Sequence, residues 1–341
     1  MSSPHALPTP DEVFISHVRL RDVDDQALSL SGWEQEYHQL SPGSYEGSVS
    51  WCSMKGIEFF VESSNKQLHQ AGSIPAGKVA MALPLACEGQ GWISGQPVGA
   101  DTMVVLTDQR PLDFRTPSSL SVAAIVVAME DLLRFAGVFE CEAAVAAAIA
   151  QGAFTLPGLM AGHLRDCLAS VARSVSGEKL ALNHGNALAA FRNNLLSGFV
   201  NALGGSTTAP QAPARSAGQH RRTVERAVQY MRSHASEPIG VVDICQAVGV
   251  HSRVLQYCFN EVFGVTPVAY LRCLRLHQVR REIKESPHES LGDIAARWGI
   301  WHLGRFASDY RQLFGELPSA TARNAGAQPL GGLHSGVRLA S

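Results

Sequence analysis

One stretch of this chain occurs twice, and no other feature limits its possible folds as much. "DICQAVGVHSRVLQYCFNEVFGVTP" starts at Asp243 and "DIAARWGIWHLGRFASDYRQLFGELP" at Asp293. Asp243-Ile244 matches Asp293-Ile294, and Gly249-Val250 matches Gly299-Ile300. The second copy then has one extra residue, after which Leu255, Phe259, Phe263, Gly264 and Pro267 match Phe306, Tyr310, Phe314, Gly315 and Pro318. Apolar residues keep helical spacing on both sides of each central glycine. A glycine inside a helix costs about 1 kcal/mol relative to alanine, so its return at the same place marks a turn that needs a positive φ. Each copy therefore reads as a short helix, a tight turn, and a longer helix ended by Gly and Pro, which is a helix-turn-helix. Val250 and Ile300 are expected to plug the angle between the helices. Leu255 and Phe259, or Phe306 and Tyr310, would hold the second helix to a core and leave its other face free for a major groove.

The chain around the repeat is helical by the same periodicity. Helices are expected at Arg221–His234, Val241–Val248, His251–Phe263, Pro267–Ser286, Leu291–Trp298, Trp301–Phe314 and Ser319–Arg323. Pro267 to Lys284, 18 residues, would span about 27 Å at about 1.5 Å per residue. That length suits two recognition helices about 34 Å apart on one face of a duplex. The same helix carries Arg272, Arg275, Arg280, Arg281 and Lys284 as candidates for phosphate contacts. Residues 221–323 hold 14 Lys+Arg against 10 Asp+Glu, whereas residues 1–220 hold 13 against 20. A basic segment attached to an acidic one points toward nucleic acid.

At 341 residues there is room for two cored domains. "GGSTTAPQAPARSAGQ", Gly204 to Gln219, has linker composition. The expected layout is a domain over 1–203, a linker at 204–219 and a domain over 220–323 with helix-turn-helix motifs at 241–263 and 291–314. A flexible tail at 324–341 completes it. "WEQEYHQL", "GIEFFVES", "GKVAMALPL" and "ADTMVVLTD" read as short strands of a β-sandwich or barrel, and the pattern turns helical from Ala128. The fold class is thus an α+β N-terminal domain followed by an all-α domain whose two motifs are joined by a long helix. Met160, Leu164, Cys167, Leu168, Val171 and Val175 form one helical face, available to this domain or to a second copy, and Leu188, Phe191, Leu195 and Phe199 form another.

Other classes find little support. The seven scattered cysteines contain no CxxC pair and read as buried reduced thiols. His17, His38 and His69 lack the His-x-His pattern of a cupin metal site, and His163 with Cys167 supplies only two ligands. No nucleophile elbow, phosphate loop or dinucleotide fingerprint is present, so no catalytic residue, cofactor or metal is expected. Without an 18-residue apolar run or a secretory leader, the expected location is the cytoplasm. Trp33, Tyr37, Trp51, Phe59, Phe60, Trp92, Trp298 and Trp301 read as packing residues.

Residues 221–323 resemble the two-motif DNA-binding domain of the AraC/XylS family of bacterial transcription regulators, through the spacing, both turn glycines and both Gly-x-x-Pro ends. "GIWHLGRFASDYRQLFGELPSAT" is similar to the branch with regulators of ethanolamine and quinohaemoprotein amine dehydrogenase genes. "QLSPGSYEGSV" (Gln39–Val49) and "VESSNKQLHQAG" (Val61–Gly72) resemble that branch's sensor domain. The resemblance implies an effector-responsive activator that binds double-stranded promoter DNA and RNA polymerase, with an amine as effector by analogy and pairing into a homodimer. The alternatives are an effector-independent regulator whose first domain only dimerises, and a cupin-type enzyme module fused to a DNA-binding domain. By position, Arg253, Gln256 and Tyr257 stand four, seven and eight residues after the turn glycine, where relatives face DNA, with Asn260 one turn on. Arg253 and Gln256 can read guanine and adenine bidentately, and Tyr257 can stack or hydrogen-bond. In the second copy the candidates are His302, Leu303, Arg305 and Ser308, with Arg311 toward phosphate. Leu303 offers only apolar contact, and Gly304 is a poor helix former at the start of a recognition helix.

Overall fold

Alternation along the strands explains the first domain. The computed structural model describes residues 13–30, 32–54, 56–176, 185–204, 215–327 and 336–339. Its first part runs β1 (Val13–Leu20), α1 (Val23–Ala27), β2 (Glu34–Gln39), β3 (Gly47–Met54), β4 (Ile57–Ser64) and β5 (Leu68–Ser73). There follow β6 (Lys78–Glu88), β7 (Gly91–Ile93), β8 (Gln96–Val98), β9 (Thr102–Thr107), β10 (Leu112–Arg115) and β11 (Ser119–Ala128). Helices α2 (Met129–Val138), α3 (Glu142–Gln151), α4 (Gly158–Ser176) and α5 (Gly185–Gly204), with the short β12 (Ala153–Thr155), end this part.

An eight-stranded sheet, ordered β12-β9-β6-β11-β4-β3-β1-β13, faces a five-stranded one, β2-β5-β10-β7-β8. β13 (Gly336–Leu339) is the far C-terminal segment, antiparallel to β1 with Val13 opposite Leu339. The large sheet is covered on both faces at its centre, so β9 and much of β11 read as continuous apolar runs, while β3 and β4 alternate. Met103 and Val105 of β9, and Ile125 and Val127 of β11, point to α2–α5 and join Leu132, Leu164, Leu168 and Phe199. Val104, Leu106, Ala124 and Val126 point the other way, to Ile93, Leu112 and Phe114 of the small sheet. The domain is a sandwich of two sheets with a helical layer. The α4 face supplies Leu164, Leu168, Val171 and Val175 to this domain's own core, while Cys167 is exposed. The side chains of Leu188 and Phe191 lie outside the described residues.

The second part is helical: α6 (Arg215–Ser233), α7 (Val241–Val248), α8 (Ser252–Phe263), α9 (Pro267–Glu285), α10 (Leu291–Arg297), α11 (Leu303–Phe314) and α12 (Pro318–Ala327). It has two cores. One gathers Val224 and Met231 of α6 with Ile244, Leu255, Phe259, Phe263 and Tyr270. The other gathers Val279 and Ile283 with Ile294, Phe306, Tyr310 and Phe314. Half-buried Trp298 packs against both.

Several boundaries differ from the sequence reading. Helix α6 starts at Arg215, inside the segment read as linker, and residues 205–214 lie outside the described ones. In the segment read as a flexible tail, α12 continues to Ala327 and β13 pairs with β1, while 328–335 and 340–341 are not described. Of the seven cysteines read as buried thiols, all free, only Cys52 and Cys258 are fully buried. Among the described residues no helix is long and apolar enough to cross a membrane, and no cluster of three or more His, Cys, Asp or Glu could hold a metal.

Candidate nucleic-acid interface

Both turns are built alike. Gly249 and Gly299 have φ of +70° and +69°, the left-handed region that a side chain opposes. The following residue closes each helix: Val250 N–H donates to the Cys245 carbonyl at 3.1 Å and Ile300 N–H to that of Ala295 at 3.0 Å. This six-to-one bond satisfies a carbonyl that the helix end would leave orphaned. Val250 and Ile300, half-buried, pack on the first and second core respectively. A Cβ on Gly249 would meet nothing within 4 Å, whereas one on Gly299 would lie 3.2 Å from the Arg275 guanidinium carbon.

Burial then sorts the two second helices. In α8, Leu255, Cys258, Phe259 and Phe263 are buried, whereas Arg253, Gln256, Tyr257 and Asn260 are exposed on the opposite side. Tyr257 is 59% exposed, and the His220 ring of α6 stands edge-on to it at 5.2 Å. His220 also pairs with Glu261 at 2.6 Å, so α6 reaches the outward face of α8. In α11, Phe306, Tyr310, Leu313 and Phe314 are buried and Arg305, Ser308 and Arg311 are exposed, as is His302 just before the helix. The side chain of Leu303 is outside the described residues.

The register of α8 and α11 shows where the extra residue falls. His251 precedes α8 two residues after its turn glycine, and His302 precedes α11 three residues after its own. The additional residue lies in the turn, at Trp301, which is 69% exposed rather than packed. Counted from the first helical residue, Arg253 and Gln256 correspond to Gly304 and Ala307, and Tyr257 and Asn260 to Ser308 and Arg311. Arg305 pairs with Asp309, which Arg272 also faces, both at 3.6 Å. Asp309 was not among the residues singled out from sequence; its (i, i+4) spacing from Arg305 is the signal that could have found it.

Among the cations of α9, Arg280, Arg281 and Lys284 face the first domain, while Arg275 is bound within its own domain. Arg275 donates to the carbonyls of Ala235 at 2.9 Å and Glu237 at 2.6 Å. Arg280, nearly buried, meets Asp22 at 3.0 Å and Glu316 at 2.8 Å and lies over the Phe314 ring at 4.7 Å. Arg281 binds Asp24 at 2.8 Å and Glu36 at 2.6 Å, and Lys284 binds Asp22 at 3.1 Å and Asp25 at 3.2 Å. Burial pushes the Asp22 carboxyl up, but Arg280 and Lys284 outweigh it and hold the group at about 2. Arg280, Arg281 and Lys284 are thus not free for phosphate, and the charge asymmetry is in good part complementarity between the domains.

Residues 244–324 match the helix-turn-helix domain family. Over 102 residues the chain is 39% identical to the probable thc operon regulatory protein of Rhodococcus erythropolis, covering 29% of this chain and 31% of that one. Over 101 residues it is 35% identical to the XylDLEGF operon transcriptional activator of Pseudomonas putida, covering 29% and 32%. The chain thus spans about a third of the length of these curated relatives. A solved transcriptional regulator of Chromobacterium violaceum, described by its AraC-type DNA-binding domain, is 29% identical with a TM-score of 0.30, covering 33% of this chain and 97% of that one.

Proposed function

We propose that the chain, whose residues 244–324 match the helix-turn-helix domain family, is a sequence-specific transcription regulator of the AraC/XylS type, an activator that reads two adjacent major-groove segments. The observation that carries this reading is the sorting of α8, whose core face is buried while Arg253, Gln256 and Asn260 stand exposed beside one another. On this reading Arg253 and Gln256 contact base edges, Tyr257 and Asn260 extend the same face, and Arg311 contacts phosphate. His302, Leu303, Arg305 and Ser308 face the second groove, where the register gives Gly304 and Ala307 in place of a long polar side chain. Specificity then rests mainly on the first motif and affinity on both.

The sandwich domain senses a small effector, an amine by analogy, and shifts the population able to engage both grooves or touch RNA polymerase. Leu133 and Val138 of α2 and Phe139 at its C-terminal end are exposed and available for pairing with a second copy. The cytoplasm is the location this role requires.

Footprinting of the full-length protein on the DNA upstream of its own and neighbouring genes tests the reading. Two protected patches about one helical turn apart are expected. Gln256→Ala should weaken binding by about 1–3 kcal/mol and relax the preference at one base pair. Absence of protection even at low salt, where phosphate contacts are strongest, removes the reading.

A further inference from the structure

The last four carbonyls of a helix have no partner within it. At the end of α11 two of these groups are taken by the first domain. Gln39, the last residue of β2, is 1% exposed, and its side-chain amide donates to the Leu313 carbonyl at 2.6 Å. Gly43, four residues on, donates its backbone N–H to the Gln312 carbonyl at 2.9 Å. The same amide of Gln39 reaches the carbonyls of Ser41 at 2.8 Å and Gly43 at 2.6 Å, so it also shapes the loop that brings Gly43 there. The backbone N–H of Gln39 donates to His277 Nε2 of α9 at 2.8 Å. One residue of the sandwich is thereby bonded to both the second recognition helix and the helix that joins the two motifs.

Among the described residues, no group of the first domain donates a hydrogen bond to the terminal carbonyls of α8. Phe263, the terminal residue of that helix, meets the His69 ring at 4.7 Å, and His69 spends its Nδ1 on the Tyr270 hydroxyl of α9 at 2.8 Å instead of on the helix end. Upstream on β2, Tyr37 is fully buried and hydrogen-bonded to Gln35, on the strand that ends in Gln39.

We propose that Gln39 is a positioning residue for DNA binding: it sets the orientation of α11, and only α11, relative to α9. Strand β2 is then the route by which the state of the sandwich reaches the second motif. The DNA-binding part of this inference rests on the function proposed above.

Gln39→Met keeps the size and burial of the side chain and removes the donor, and Gln39→Glu keeps its shape with acceptors only. Both full-length variants and the wild type are compared in two ways. In DNA-free protein, hydrogen exchange of α11 amides should accelerate about tenfold in each variant, the size expected for one lost hydrogen bond, with α8 amides unchanged. Unchanged α11 protection, or equal loosening of α8, overturns the proposal. For DNA, sites are selected from a random-sequence pool by the wild-type protein. Each variant should lose the second footprint patch and about tenfold in affinity for the full site, while binding a site truncated to the first patch within about twofold of wild type. Equal loss on both sites overturns the role of Gln39. A wild type that selects no site overturns the proposed function instead, and the exchange measurement still decides on Gln39.

Discussion

The two helix-turn-helix units share one backbone plan and differ in what holds them. The first leans on α6 through apolar contact, with Val224, Ala227, Val228 and Met231 in its core, and the sandwich domain adds Leu40 and buried His69, whose Nδ1 lies 2.8 Å from the Tyr270 hydroxyl. The second is tied to that domain by charge and hydrogen bonds, through Arg280, Asp22, Glu316 and Gln39. The unit with long polar side chains at its leading positions is thus held chiefly by packing within its own domain. The one with Gly304 and Ala307 there is held in addition by a nearly buried ion pair and helix-end hydrogen bonds from the neighbouring domain. On the proposed function, reading sequence and receiving a signal would fall to different copies of the same motif.

Arg280→Ala is the strongest way to break this comparison. The guanidinium neutralises Asp22 and Glu316 in a nearly buried setting, and its loss leaves their charges without that partner. Removing one partner of a buried pair costs about 3–5 kcal/mol. Arg232→Ala, which breaks a half-exposed pair with Glu36 at 3.2 Å on the α6 side, should cost under about 1 kcal/mol. Urea denaturation of the two variants checks the ratio, and equal costs would show that charge holds both units alike.

Acidification acts on the same contact. Burial, then Arg281 and Arg280 on its own helix, depress His277 to about 3, against the backbone hydrogen bond with Gln39 and then Asp22 at the start of α1, both of which favour its protonation. His38 of β2 stands edge-on to it at 5.0 Å and is itself depressed well below its usual value by burial and its neighbours. The folded value lies below the unfolded one, so the stability associated with neutral His277 is present above about pH 6.5 and declines as pH falls toward 3. Between pH 7 and pH 5 this amounts to about 2 kcal/mol. His277→Gln keeps an acceptor for Gln39 and removes the titration. Its melting temperature should therefore vary less over that interval than the wild type's, and parallel pH profiles would count against His277 as the cause.

The turns give a smaller contrast. Gly249→Ala should cost about 1–2 kcal/mol for the left-handed backbone alone. Gly299→Ala should cost more, because the new methyl group lies 3.2 Å from the Arg275 guanidinium and presses on its bonds to Ala235 and Glu237. Thermal melts of the two variants rank them, and a larger loss at Gly249 reverses the order.

The sequence already contained the units of this comparison but not their relation. Gly249 and Gly299 need a local conformation that only the chain nearby dictates, and the apolar spacing from Leu255 to Phe263 needs one helix, so both were legible. The roles of the α9 cations were not. Asp22 is 258 residues from Arg280, and a helix with cations around it does not reveal which of them face protein. Trp301 shows an intermediate case. Matching the copies gave one extra residue, but only the helix starts place it in the turn and turn the indole outward.

The smallest expected effect tests the start of α11. Gly304 is its second residue, exposed, with nothing within 4 Å of where a Cβ would stand. The first motif has Arg253 at this position, so the difference between the copies is one of backbone freedom as well as side chain. Gly304→Ala adds no clash and restricts the unfolded chain, and should stabilise the protein by up to about 1 kcal/mol. If α11 is positioned from its far end by the first domain, tightening its start raises the melting temperature and leaves the second footprint patch where it was. A patch that shifts or sharpens in Gly304→Ala would mean that the loose start of α11 helps to set its orientation, and the contrast between the two motifs would then originate inside the helical domain.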